Sequence, residues 1–516
     1  MAYGGPLALV IAGLALLDTS MHLPIPSAAW IGLPLILHGS RSLPAFATPP
    51  SVWFAATVIL AISERGSTPA SGAGYVLVVS LWSFTLMLPF AIDRAVAVRS
   101  IVTGVGSTLI FPVAFVTIEF LRSRVTPNAT WGSIAYTQYG ALSLMQTAAF
   151  AGIWGITFLM TWSASTVDFA WRYGFASTTA RAPLLAFGCV FAAAIVAGTL
   201  RVGTASTERP TLRVATLNRP TDLFIPGEIT RITEGRVAPA DRRSIDTKLA
   251  RLHDWFLVGS RREARAGARL VVWPEQSLLV FSENEAPFLK RAQQVAVDEH
   301  IYLAMGMGTI HLGESRPFEN KLVLIDPTGQ LVISYLKNHP VPGWEASIMR
   351  RGDGRLPVAD TSDGRMAAAI CYDGSFPEFI RHAADGAADL LILPVNDWKS
   401  VRIAHFQMHA FRAIETGVPI VRAAASGISG AFDPWGRALG FTDFFAQGDR
   451  SLTVQLPVGG VRTIYARIGD TFAWLCVAVL AAMLAITIAE RGRTLVASAR
   501  VEALSPLGSS VEGSPQ

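Results

Sequence analysis

Long apolar stretches punctuate this chain near Gly5–Leu17, Ala28–His38, Val52–Ile62, Gly74–Ile92, Ile101–Leu121, Leu142–Trp162 and Leu184–Leu200, and again, far downstream, at Thr471–Ala489. A helix needs roughly 20 predominantly apolar residues to cross a bilayer core. The pattern therefore predicts seven transmembrane α-helices ahead of a polar region and one behind it. The first three runs are short and reach across only with flanking residues such as Thr19, Ser20 and Pro26.

Between about Glu208 and Ile468 the pattern changes. Short β-branched runs at Leu212–Leu217, Arg269–Trp273, Ile301–Gly306, Lys321–Asp326, Leu331–Leu336, Met366–Cys371 and Leu390–Pro394 read as strands. Amphipathic stretches at Glu285–Asp298, Pro377–Asp385 and Ile403–Thr416 read as helices, which makes the region α/β. Turn signals at Asp326-Pro327-Thr328-Gly329 and Asp433-Pro434-Trp435-Gly436 lie between apolar runs, so a layered sandwich is expected rather than a simple parallel sheet. The expected organisation is a helical membrane domain over 1–205, an α/β domain over 208–468, a transmembrane helix over 469–490 and a tail over 491–516, partly disordered beyond Leu504.

Composition agrees with a chain that lies largely in lipid. Hydrophobic residues make up 51%, charged residues 16%, and the mean hydropathy is +0.40. The net charge of +5 is mostly arginine and is spread along the chain, which leaves no nucleic-acid footprint. Short loops with arginine mark the cytoplasmic side. With the N-terminus inside, cytoplasmic loops hold Arg41, Arg94, Arg99, Arg172 and Arg181, against Arg65, Arg122 and Arg124 opposite. Arg491, Arg493 and Arg500 vote independently for a cytoplasmic C-terminus, which puts the α/β domain outside the cytoplasm. No basic stretch precedes Gly5, so a cleavable signal peptide is not expected.

Of the three cysteines, Cys189 and Cys476 fall in apolar segments, and Cys371 is the one thiol of the polar region. It follows the apolar run Ala367–Ile370, as Glu275 follows Leu270–Pro274 and Lys337 follows Val332–Leu336. Strand ends are where α/β scaffolds present reactive groups. A thiol with a reference pKa of about 8.5 needs a base or a nearby cation before it attacks. Glu275 can take the proton, and the Lys337 ammonium can favour the thiolate and then the oxyanion, a contribution of ~3–4 kcal/mol for donors of that kind.

The segments Val272-Trp273-Pro274-Glu275, Tyr335-x-Lys337-x-His339-x-Val341-Pro342-x-x-Glu345 and Ile370-Cys371-Tyr372-Asp373-x-x-Phe376-Pro377-Glu378 resemble, in order and spacing, the three catalytic motifs of the nitrilase (carbon–nitrogen hydrolase) superfamily. With the flanking helices, Asn396-Asp397-Trp398, His405-Phe406-Gln407-Met408, Arg412-Ala413-x-Glu415 and Arg422 to Ser429 are similar to the apolipoprotein N-acyltransferases within it. The resemblance implies an αββα sandwich on the periplasmic face of the inner membrane. It implies transfer of a fatty acyl chain from a phospholipid, through a thioester on Cys371, to the N-terminal amine of a diacylglyceryl lipoprotein. Glu275 would move the proton in both steps, Glu345 would be a second acid supporting the site, and Tyr372, Asp373, Asn396 and Trp398 would contact substrate. No metal or organic cofactor is implied, and the oligomeric state is left open.

Three departures from the family pattern stand out. Asp373 occupies a position that is commonly Glu, Pro342-Gly343-Trp344-Glu345 replaces Pro-Phe-Gly-Glu, and Trp398-Lys399-Ser400-Val401-Arg402 is a shorter, more basic loop than the family's. The loop puts the acceptor in question more than the acyl chemistry, so a different acceptor or an amidase-like release to water stands as the alternative. A catalytically dead scaffold is the third reading. His405 and His409, four apart on a helix, lack the Glu of a metalloprotease motif, and Gly306-x-Gly308 lacks the third glycine of a dinucleotide fingerprint, so neither predicts a site.

Overall fold

The computed structural model describes residues 3–23, 25–97, 103–205, 209–220, 222–446 and 451–504. Arg99, the boundary at Glu208 and the tail beyond Leu504 lie outside the described residues, as do the side chains of Arg491, Arg493 and Arg500.

The first half of the chain is helical: α1 (Gly4–His22), α2 (Pro26–Ser42), α3 (Thr48–Ser63), α4 (Gly72–Ala97), α5 (Val105–Thr108), α6 (Ile110–Val125), α7 (Leu142–Met145), α8 (Ala148–Ala151), α9 (Ile153–Tyr173) and α10 (Thr178–Gly203). This is a multi-pass membrane protein. Among the described residues five helices are long and apolar enough to cross a bilayer, four of them in this half, with one more if the bent pair Leu142–Ala151 and Ile153–Tyr173 is one span. The expected seven N-terminal spans are therefore not reached on length alone, because α2 and α3 have only 17 and 16 residues.

The stretch expected as one helix over Leu142–Trp162 is broken. Gly152, at φ 65°, turns the chain by 118° into α9. A Cβ at Gly152 would meet the Tyr465 ring at 2.6 Å, so the corner is packed against the C-terminal part of the chain.

Small residues bring α1 and α2 together. A Cβ on Gly13 would lie 2.6 Å from the Gly32 carbonyl oxygen, and one on Gly32 would lie 2.6 Å from that of Gly13. Such reciprocal gaps let two backbones touch in lipid, where no hydrophobic force pulls helices together. At their far ends α2, α4 and α9 share one ion network. Arg41 donates to Asp93 at 2.5 and 2.7 Å and to Asp168 at 2.6 Å, and His38 pairs with Asp168 at 2.8 Å. Buried charges within membrane helices persist only when paired in this way.

The polar region is a four-layer αββα sandwich of the nitrilase type. Its strands are β1 (Thr211–Thr216), β2 (Leu270–Phe281), β3 (Tyr302–Ile310), β4 (Phe318–Ile325), β5 (Leu331–Leu336), β6 (Val358–Thr361), β7 (Gly364–Ala368), β8 (Leu390–Val395), β9 (Ile420–Ala424), β10 (Ile428–Phe432), β11 (Ala438–Asp443) and β12 (Leu452–Pro457). Two mixed six-stranded sheets form, ordered β12-β1-β2-β3-β4-β5 and β11-β10-β9-β8-β7-β6, with parallel centres β1-β2-β3 and β7-β8-β9. Their inner faces share one core, in which Val272 and Leu324 meet Ile392 and Val421. Both faces of the central strands are covered, so β2, β3, β8 and β9 are buried throughout, polar positions such as Glu275 and Arg422 included.

The helices here are α11 (Glu228–Thr233), α12 (Pro239–Arg265), α13 (Ser282–Glu299), α14 (Trp344–Ile348), α15 (Pro377–Asp385), α16 (Arg402–Thr416) and α17 (Ile464–Ile468), before α18 (Thr471–Leu504) leaves the sandwich. Helix α12 was not expected. Its apolar face (Ile245, Leu249, Leu252, Phe256) keeps helical spacing but is diluted by arginines on the other faces. Together with α13 it covers the outer face of the first sheet, where Phe256 and Phe288 pack around Trp273.

Candidate active site

Glu275 does not follow a strand end as the apolar pattern suggests. Strand β2 runs on to Phe281, and its pairing with β3 slips between Trp273 and Leu278. Pro274, which has no N–H to give the ladder, sits at this bulge. On β3, Gly306 leaves room for it, because a Cβ there would lie 2.1 Å from the Pro274 carbonyl oxygen. The Gly306-x-Gly308 pair is thus a packing device that shapes the site from below.

Lys337 leaves β5 and donates to Glu275 Oε1 at 2.8 Å and to both oxygens of Glu345 at 2.9 Å. Glu345 lies in α14, where it also accepts the Val341 N–H at 2.7 Å and the Gln276 amide at 3.2 Å. Asn320, in the middle of β4, gives its side-chain amide to Glu275 at 2.7 Å and to Glu345 at 3.0 Å. One ammonium and one amide therefore hold two carboxylates in a fixed, buried array.

Cys371 opens a 3₁₀ turn (Cys371–Ser375) after β7 with φ 48°. A non-glycine residue held there stores about 1–3 kcal/mol of strain. Asp373 holds the turn in place: its carboxylate accepts the Ile370 N–H at 3.0 Å, the Tyr335 hydroxyl at 2.7 Å and the His339 N–H at 2.9 Å, and it meets His339 Nδ1 at 2.8 Å. The thiol sits within electrostatic reach of Glu275, Lys337 and the Asn396 backbone N–H.

Burial dominates the electrostatics. It pushes the Cys371 thiol well up, and the Glu275 charge adds to this, outweighing Lys337. At rest the sulfur is therefore a thiol, not the thiolate that a neighbouring ammonium alone would favour. Burial also raises Glu275, with Glu345 opposing the lowering by Lys337, which gives a carboxylate of increased proton affinity touching the thiol. Burial works against the Lys337 charge, but Glu275 and Glu345 win and hold it well above the usual range.

The four residues expected to do chemistry, Glu275, Lys337, Cys371 and Glu345, meet in this one cluster and are all buried. The residues expected at substrate are placed differently. Asp373 is fully engaged inside the protein as the clamp just described. Tyr372 donates to the Pro127 carbonyl at 2.7 Å, and Trp398, 38% exposed, donates to the Gly66 carbonyl at 2.6 Å, so both fasten the site to loops between membrane helices. Ser400 also donates to the Gly66 carbonyl, at 2.6 Å. Asn396, half-buried, accepts from Ser426 at 2.8 Å.

Sequence reading did not single out Asn320, and it quoted Asp397 within a family-like stretch without giving it a role. The available signal for Asn320 is an amide on the inward, otherwise apolar face of β4, shared with Leu322 and Leu324. Asp397 is paired with Arg422 and, at 2.7 Å, with His405 Nδ1. His405 and His409 are a buried pair facing the site, not a surface pair. Cys371, Asp397 and His405 offer a sulfur, an oxygen and a nitrogen within 4.8 Å of one another, the one such grouping found among the described residues. Arg422 at Asp397 and Lys337 near the sulfur make it a poor cradle for a cation.

Comparison with known proteins adds a second line of evidence. Residues 245–466 match the carbon-nitrogen hydrolase family model, and 12–166 match that of the apolipoprotein N-acyltransferase N-terminal domain. The chain is similar to apolipoprotein N-acyltransferases from Geobacter metallireducens (29% identity, over 74% of each chain) and Bradyrhizobium diazoefficiens (27%, over 78% of this chain and 80% of the relative). A solved amidase from Nesterenkonia sp. aligns at 22% identity over 48% of this chain and 90% of its own, with a TM-score of 0.37.

Proposed function

We infer that this chain, which is similar to apolipoprotein N-acyltransferases, is one of them and moves a fatty acyl group from a phospholipid to the N-terminal amine of a diacylglyceryl lipoprotein through a thioester on Cys371. The observation that carries this reading is a buried thiol close to Glu275 and to the Lys337 that Glu275 and Glu345 share, in a site whose rim is fastened to loops of the helical part at Gly66 and Pro127.

Glu275 takes the thiol proton as sulfur attacks the ester carbonyl, and returns it to the departing lysolipid oxygen. Lys337 and the Asn396 N–H are placed to stabilise negative charge that builds up next to the sulfur. The acceptor amine then displaces the sulfur and forms the amide. Both substrates carry acyl chains whose removal from lipid costs about 0.8 kcal/mol per CH₂, which is a physical reason for a site built on membrane helices. The arginine distribution of the loops supports an extracytoplasmic sandwich on the inner membrane.

The test is a membrane assay with labelled phospholipid and a diacylated lipopeptide, in which N-acylated lipopeptide is expected and its complete absence removes the proposal. The carbon-nitrogen hydrolase match keeps release to water as the alternative. A long fatty acyl adduct trapped on Cys371 favours transfer, and a small acid favours hydrolysis.

A further inference from the structure

The thiol has a polar neighbour that the Glu275–Lys337–Glu345 set does not include. His405 lies in the first turn of α16, buried, with one ring nitrogen within 4.8 Å of the Cys371 sulfur and of an Asp397 oxygen. Nδ1 faces Asp397 Oδ1 at 2.7 Å, and the other Asp397 oxygen is held by Arg422. Burial opposes the Asp397 charge, but Arg422 and His405 outweigh it and hold the carboxyl below its usual range, so the imidazole hydrogen belongs on Nδ1. That leaves the lone pair on Nε2, which is buried without any hydrogen-bond partner. Buried polar groups are normally hydrogen-bonded, so an orphaned nitrogen on a ring packed near Cys371 suits a partner that arrives with substrate.

Glu275 is poorly placed to serve every proton. Its Oε1 already accepts from both Asn320 and Lys337, and the carboxylate also meets the thiol. Acyl transfer to an amine presents a second proton problem, because an α-amino group has a reference pKa of about 7.7–8.0 and attacks only as the free base. Burial keeps His405 neutral, a proton acceptor in its resting state.

We propose that His405, oriented by Asp397 and Arg422, is the residue that receives the acceptor amine: Nε2 accepts an N–H of the incoming nitrogen and takes its proton as the amide forms. The proposal rests on the acyl-transfer reading. In the step itself the amine nitrogen bonds to the thioester carbon, the carbon–sulfur bond breaks, and its electron pair leaves on Cys371 sulfur beside Lys337. The released proton resides on Nε2 and passes to the thiolate, which restores neutral imidazole and thiol. The sequence-based expectation routes this proton to Glu275, whereas the structure places a second buried base, the His405 ring, in the neighbourhood of the sulfur.

The two half-reactions separate the possibilities in the full-length protein. His405→Asn keeps a donor toward Asp397, where the asparagine amide replaces Nδ1, and removes only Nε2. Labelled phospholipid alone reports thioester formation on Cys371, and a chase with diacylated lipopeptide reports its consumption. His405→Asn should form the thioester within about twofold of wild type and consume it ~10²-fold or more slowly, the scale of a lost general base. Wild-type consumption by the variant overturns the proposal, as does equal loss in both steps, which makes His405 a structural support. Wild-type protein that forms no thioester from phospholipid overturns the acyl-transfer reading itself, whatever the variant does.

Discussion

At Lys337 one ammonium serves two buried carboxylates, Glu275 at 2.8 Å and Glu345 at 2.9 Å, so removing it does more than delete a catalytic charge. Lys337→Met leaves two acids facing each other without a counter-ion, and breaking a buried pair in this way costs about 3–5 kcal/mol. Activity should vanish and the thermal midpoint in detergent should drop. Adding Glu345→Gln to Lys337→Met should recover part of the midpoint but none of the activity; a double variant less stable than Lys337→Met contradicts the shared-charge account. The three strand-associated residues were legible in the sequence because each stands in a short motif beside an apolar run. Asn320 was not, and Asp397 and Arg422, though they stand in family-like stretches, were not legible as a pair, since a buried polar contact depends on which distant segments meet.

Helix α16 meets the membrane part through ring contacts, the Arg412–Tyr136 hydrogen bond and one buried carboxylate. Glu415 accepts the Ile153 N–H at 2.9 Å, at the first residue of α9, and pairs with Arg412 at 2.8 Å. Burial raises its pKa from 4.5 to about 7, against the lowering by Arg412 and the Ile153 N–H. An acid that holds its proton more tightly when folded stabilises the fold fully below about 4.5, and that contribution is lost as pH rises to about 7. Thermal stability should therefore fall across this window in wild type and fall less steeply in Glu415→Gln; equal slopes would show that the Glu415 proton is not linked to folding. Among elements, the helices at Pro377–Asp385 and over most of α13 and α16 were readable from apolar spacing. The break at Gly152 was not, because the residues on both sides are apolar for different reasons: α9 sits in the helical bundle, while α8 packs beneath α16 and α17.

For the whole molecule, the division into membrane helices and an α/β sandwich was visible as a change of periodicity, whereas the number of spans was not, because α2 and α3 fall between a buried helix and a crossing one. Sidedness is open to direct measurement. Lys290 is exposed on α13, so Lys290→Cys should react with a membrane-impermeant maleimide applied from outside the inner membrane. Reaction only after that membrane is broken would reverse the proposed orientation. The sandwich and the helical part meet at several hydrogen bonds, including Gln146 to the Trp435 carbonyl and Tyr372 to the Pro127 carbonyl.

The seclusion of the sulfur has a kinetic consequence. Cys371 is 5% exposed, and the Trp398–Ser400 segment is tied to Gly66. A wall that keeps bulk solvent from the nucleophile also protects whatever is bonded to it, so an acylated protein should persist for long periods between encounters. On the proposed acyl-transfer reading, donor and acceptor then need never be bound together, and one scarce lipoprotein can find a population of proteins already charged.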